Sequence, residues 1–190
     1  FTQSLMVFTS VQINNSMNKR QLTQANHEYI GNLTSKCTHG LTLQTNLKTR
    51  NISNWQMERH IEDALKAMNE YQKRLNWLLT GNGYKRNPEK LPIIITALEG
   101  TQNTYDHNRT LHFHIALGNF DLSRLDDHLL ERLRHHWQRT GIGTSDIKLE
   151  PLIHGRKHGW GTYINKEHNK GNEMCIDFSH TQIPSHLLAD

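Results

Sequence analysis

A long helical period clamped between two strand-like runs constrains this fold more than any other feature. Ser53 stands three residues before Gln56, the spacing of a capping box that satisfies two orphan backbone donors at a helix start. Met57, Ile61, Leu65, Met68, Leu75 and Leu78 then recur at helical spacing until Gly81-Asn82-Gly83 breaks the pattern. The Met and Trp content of this helix reads as core packing. Thr42 to Lys48 precedes it with the composition of a half-buried edge strand, and Leu91 to Leu98 follows with the β-branched run Ile93-Ile94-Ile95-Thr96, which suits a central strand. Leu111–Leu117 alternates as a third strand, joined to the second by the polar stretch Gly100 to Arg109, so the two are expected to form a hairpin. A second helix is expected over about Leu122–Arg139, with Leu125, Leu129, Leu133 and Trp137 on one face and Gly141 and Gly143 stopping it. Asp146 to Ile153 then alternates as a strand. The order β-α-β-β-α-β is that of an α+β, ferredoxin-like (split βαβ) antiparallel sheet with helices packed on it. A short helix around Trp160–Asn169 and a closing strand through Met174, Ile176 and Phe178 bring the expected strand count to about five.

Residues 1–38 are rich in Asn, Gln, Ser and Thr and read as an N-terminal extension, partly helical around Asn18–Tyr29, ahead of a domain over 39–190. The 190 residues suffice for one buried core, although only 35% are hydrophobic. A net charge of +4 suits a polyanionic partner without requiring one. Cys37 and Cys175 have no metal-type spacing, which argues against a disulfide framework or zinc knuckle and for a reducing compartment. No run approaches the roughly 18 apolar residues of a membrane span, and no secretory signal stands at the start, so a cytoplasmic location is expected. A start at Phe1 rather than Met is expected of a domain cut from a longer chain.

The chemistry begins at His112-Phe113-His114. Strand side chains alternate, so both imidazoles leave one face of the sheet and can grip one cation. Glu99 ends the preceding strand, and in a hairpin it lies near the level of His112. One carboxylate and two imidazoles make a three-ligand site with open positions. The set suits Mn²⁺ or Mg²⁺ in phosphodiester chemistry, although imidazole also accepts Zn²⁺ or Ni²⁺. His107 is a weaker candidate for the third ligand. Read singly, the histidines are also compatible with exposed strand residues, in a chain that has 14 of them, and Glu99 with a surface acid.

Tyr163 and Lys166 stand three apart in Trp160-Gly-Thr-Tyr-Ile-Asn-Lys-Glu167, so on a helix the phenol and the ammonium share a face. A tyrosine hydroxyl beside a cation and a metal-polarised phosphate can attack phosphorus and leave a covalent phosphotyrosine. The plain alternative is a helix tyrosine with its ring in the core. Arg156, Lys157 and His158 before this segment, and Lys170 after it, offer phosphate contacts, and Trp160 offers a base-stacking ring. A solvated basic loop and a core tryptophan would read the same way. His135-His136 reads as a solvated pair.

Together these motifs resemble the HUH endonucleases, most closely the single-tyrosine replication initiators of rolling-circle plasmids and small circular single-stranded DNA viruses. His112-Phe-His114 is similar to the metal motif of that group, Tyr163-Ile-Asn-Lys166 to its nucleophile motif, and Thr42-Leu-Gln-Thr45 more faintly to its first motif. The resemblance spans roughly Leu41 to Phe178. It implies that Glu99, His112 and His114 hold Mn²⁺ or Mg²⁺, that Tyr163 forms a 5′-phosphotyrosyl link and releases a 3′-hydroxyl, and that Lys166 assists at the metal or the phosphate. The implied partner is single-stranded DNA at an origin, hairpin or element end, with a helicase or additional domain as a further candidate and no membrane partner. The implied process is rolling-circle replication of a plasmid, virus or mobile element. Two departures stand out: the link from Glu99 to His112 is longer than in compact viral forms, and the nucleophile motif has one tyrosine, which argues against two-tyrosine strand swapping. A single-tyrosine transposase or a relaxase is the nearest alternative. A non-catalytic nucleic-acid-binding domain, or a hydrolase that activates water without Tyr163, is the alternative of another class.

Overall fold

The computed structural model describes residues 19–101, 109–152 and 176–188. The expected capping box is present: Ser53 Oγ accepts from the Gln56 amide and the Gln56 side chain accepts from the Ser53 amide. The first helix in the chain, α1, runs over Lys19–Ser35 and leads into strand β1, Cys37–Lys48. Helix α2 covers Asn54–Thr80, and strands β2 (Ile93–Glu99) and β3 (Thr110–Gly118) form the antiparallel hairpin. Helix α3 (Leu129–Gln138) and strand β4 (Gly143–Pro151) complete the pattern. The sheet order is β2-β3-β1-β4, with β1 antiparallel to both β3 and β4. This is the α+β split βαβ arrangement, with four strands among the described residues where about five are expected.

Several elements differ from expectation. Strand β1 begins at Cys37 instead of Thr42 and lies inside the sheet between β3 and β4, while the β-branched β2 is at the edge. Helix α1 runs to Ser35 instead of about Tyr29. Trp55 and Trp77 of α2 are exposed instead of packed in the core. The second helix begins at Leu129, because Asp121 caps a separate 3₁₀ turn over Leu122–Arg124 and Asp126 accepts from the His128 amide. Those turns keep Leu125 and Leu129 at near-helical spacing, which disguises the break. The last sheet strand begins at Gly143 instead of Asp146. From Ile176 onward the expected closing strand gives only isolated bridges, Ala97 to Ile176 and Ile94 to Gln182, and Met174 lies outside the described residues. Between them Asp177 accepts from the Ser179 and His180 amides and bends the chain into a 3₁₀ turn over Phe178–His180, leaving Phe178 exposed. The segment still covers the outer edge of β2: Asp177 N donates to Thr96 O at 2.8 Å, and Gln182 and Ile94 exchange backbone bonds at 2.7 and 2.9 Å. An uncovered strand edge would invite pairing with another chain.

The two faces of the sheet carry separate cores. On one, Leu41, Leu43, Leu98, Leu111, Phe113, Ile115 and Leu117 pack with Met68, Tyr71 and Leu75 of α2 and Leu133 and Trp137 of α3. Trp137 meets Tyr71 and Phe113 edge-on, and its indole N–H donates to the Gln44 carbonyl at 2.7 Å, tying α3 to the middle of β1. On the other face, Ile30 and Leu33 of α1 pack with Cys37, Ile93, Ile95, Ala97, Ala116 and Ile176. Gly118 makes that corner: a Cβ there would stand 2.4 Å from the Lys36 carbonyl oxygen. No helix among the described residues is long and apolar enough to cross a membrane.

Candidate metal centre

The register of the hairpin builds the site. Glu99 is the direct partner of His112, and Ala97 that of His114, so Glu99, His112 and His114 project from the α1 side of the sheet. Their ligand atoms lie within 4.8 Å of one another. His112 Nε2 is 3.3 Å and His114 Nε2 3.5 Å from Glu99 Oε2. Ligands about 2.1 Å from a common ion are about 3.0 to 3.4 Å apart in octahedral or tetrahedral geometry, so these separations leave space for one ion between the three side chains. The group can hold a divalent metal ion.

Hydrogen bonds aim the rings. His112 Nδ1 lies 3.0 Å from the Thr110 carbonyl oxygen. A carbonyl only accepts, so Nδ1 carries a proton and Nε2 is the ring atom turned towards Glu99. A lone pair facing a carboxylate oxygen at that distance is repulsive until a cation or proton lies between them. His114 Nδ1 pairs with Thr42 Oγ1 at 3.1 Å, and Thr42 is the direct partner of His114 on β1. Such contacts fix tautomer and ring orientation in metal-binding histidines. Burial adds to the case: Glu99 is 1% exposed and His114 4%. A carboxylate removed from water requires compensating charge or hydrogen bonds. The His112 side chain retains 17% exposure, so the centre opens to solvent on its side.

Backbone constraints place the carboxylate. Gly100 follows Glu99 with φ +85°, and a Cβ there would sit 2.8 Å from the Thr110 carbonyl oxygen. A side chain at Gly100 would push on the same Thr110 that orients His112. On β1, Trp137 and Thr144 both donate to Gln44 O, and Thr45 Oγ1 donates to Leu111 O at 2.6 Å. These bonds hold β1 where its register against β3 shifts, between Gln44 and Lys48.

The remaining candidates, Tyr163, Lys166, Arg156, Lys157, His158, Trp160, Lys170 and His107, lie outside the described residues. Thr42 is a contributor that sequence reasoning left unassigned. Its signal was the Thr42-Leu-Gln-Thr45 strand, whose pairing with the histidine strand becomes legible only once β1 is known to lie beside β3. His136 is not a fully solvated residue: its ring packs against Trp77, and burial together with the charges of His135, Arg74 and Arg139 holds its pKa below the ordinary value.

Asp177, Ser179 and His180 have the residue types of a hydrolytic triad but the wrong geometry. Both the Ser179 hydroxyl and the Asp177 carboxylate meet His180 at Nδ1, so no relay from serine through the ring to the acid exists. Burial alone would raise the Asp177 carboxyl; hydrogen bonds from His180 and Ser179 outweigh it and hold the pKa below the ordinary value. The cluster is a turn cap. No protein-family model, curated protein or solved structure matches this chain.

Proposed function

We propose that this chain is a metal-dependent endonuclease that nicks and rejoins single-stranded DNA through a covalent tyrosine intermediate. The observation that carries the reading is the Glu99, His112 and His114 centre, two imidazoles and one carboxylate aimed at a common point on a split βαβ sheet. Mixed nitrogen and oxygen ligation with an open side suits Mn²⁺ or Mg²⁺, and a cation held there polarises a scissile phosphate. Tyr163 is the nucleophile of the proposal. Its hydroxyl loses a proton and bonds to phosphorus, the phosphorus–O3′ bond breaks, and a 5′-phosphotyrosine and a 3′-hydroxyl result. Attack by a 3′-hydroxyl on the same phosphorus reverses the step and rejoins the strand. Lys166 offsets the negative charge that develops, and Arg156, Lys157, His158, Trp160 and Lys170 hold the strand. The reading extends to initiation of rolling-circle replication, with transposition or conjugative relaxation as variants of the same chemistry.

Labelled single-stranded DNA incubated with Mn²⁺ and the protein tests the proposal. Wild type is expected to give a covalent adduct that resists denaturing gel electrophoresis, and Tyr163→Phe none. Cleavage that survives Tyr163→Phe removes the nucleophile assignment and favours an activated water. Binding without cleavage on origin-like and hairpin substrates favours a non-catalytic module.

A further inference from the structure

On the helix side of the sheet, opposite the metal centre, a cleft of about 850 Å³ opens where α2 and α3 end. Lys73, Arg74, Lys85 and Arg139 line it and are exposed, with Trp77 and Tyr84 between them and the buried Tyr71 ring at its wall. Glu70 is the one acid in the lining. Ion pairs between described residues join Glu99 with His112 and His114, Asp126 with Arg132, and Asp177 with His180. None of them involves the four cleft cations. Neutralising helix dipoles does not explain Lys73 and Arg74, because the last turn of α2, where that effect operates, contains no basic residue. Trp77 is 44% exposed although a ring of its size is ordinarily drawn inward. His136 packs edge-on against it, with ring centroids 6.3 Å apart, and fixes one edge of the indole. The depressed pKa of His136, due to burial first and then to nearby positive groups that include Arg74 and Arg139, agrees with a positive field in the cleft.

We infer that this cleft is a second binding surface, which takes a segment of single-stranded nucleic acid by phosphate contacts to Arg74, Arg139, Lys73 and Lys85 and base stacking on Trp77 and Tyr84. Cations that track a backbone, interleaved with exposed aromatic rings, are the combination that recognises unpaired strands without base-edge hydrogen bonds. The surface does not depend on the nicking chemistry, since the sheet separates it from Glu99, His112 and His114.

The full chain is photocrosslinked in EDTA to an oligodeoxythymidylate carrying 5-iododeoxyuridine, and the crosslinked peptides are mapped by mass spectrometry. Crosslinks at Trp77 or Tyr84 are expected, and Arg74→Ala with Arg139→Ala should lower their yield at least tenfold with the thermal melting curve unchanged. The same pair should reduce the slope of log affinity against log salt by about 1.4, from about 0.7 for each phosphate contact on a single strand. Trp77→Ala should weaken the oligonucleotide about fivefold or more while Trp77→Phe retains most of the affinity. Crosslinks confined to other segments, or a cleft yield unmoved by the arginine pair, overturn the inference. Equal binding of heparin and oligonucleotide, insensitive to Trp77→Ala, also overturns it, by reducing the cleft to a general polyanion surface. EDTA excludes the nicking reaction, so neither outcome bears on the Tyr163 assignment.

Discussion

Along β3, neighbouring residues belong to two different molecules in all but name. Leu111, Phe113 and Ile115 face α2 and α3 in a core closed to solvent, whereas His112 and His114, one residue away, face Glu99 on the side that α1 only partly covers. The helix side is held by shape and apolar area. The other side places a buried carboxylate and two oriented imidazoles where leucines would pack more cheaply. The difference teaches that Leu111, Phe113 and Ile115 anchor the histidine strand, while His112 and His114 stand outside both apolar cores.

The most severe test of that contrast is a pair of neighbouring substitutions. Phe113→Ala should cost about 3–5 kcal/mol in urea unfolding, because the ring is fully buried against Trp137. His112→Ala should abolish metal binding yet change the stability of the metal-free chain by about 1 kcal/mol or less, since its side chain is partly exposed and belongs to neither buried apolar cluster. Equal destabilisation by the two would break the division between the faces. A smaller effect sharpens it. Thr42→Val removes the hydroxyl that orients His114 but keeps the strand, and should weaken metal binding about 10- to 100-fold without loss of fold, read by calorimetric titration.

The α1 end of the metal-side face is apolar, and Cys37 reports on it. Burial pushes the Cys37 thiol from 9.0 up to about 12, while the unfolded chain ionises near 9.0. The folded state therefore keeps its proton where the unfolded state loses it. The stability this provides is fully present below pH 9 and is lost as the pH rises from 9 towards 12, at up to about 1.4 kcal/mol per pH unit. Denaturation across that range should show a shallower fall in Cys37→Ala. An identical fall would mean that the thiol contacts water in the folded chain.

Much of the fold was legible because local and global signals agree. The Ser53 and Gln56 cap, the apolar period of α2 and the β-branched run of β2 each specify one element, and the hairpin then brings Glu99 level with His112. The Glu99, His112 and His114 cluster was legible for the same reason: period-two alternation alone puts both imidazoles on one face. Other features resist sequence reading for physical reasons. Asp121 and Asp177 cap tight turns through side-chain hydrogen bonds, which apolar spacing does not register, so that spacing overstates the second helix and suggests a strand at Phe178 where a turn lies. Ile30 and Leu33 supply an apolar contact from an otherwise polar helix, too sparse to form a period. The role of Thr42 depends on β1 lying beside β3, a long-range pairing that no local pattern encodes.

Titration with Mn²⁺, followed by calorimetry and by the loss of the free-ion electron paramagnetic resonance signal, tests the metal centre most directly. One ion per chain is expected, bound at least 100-fold more weakly by His114→Ala and by Glu99→Gln and with undiminished affinity by Tyr163→Phe. Binding that persists unchanged in His114→Ala and Glu99→Gln, or no binding by the wild-type chain, would contradict the assignment.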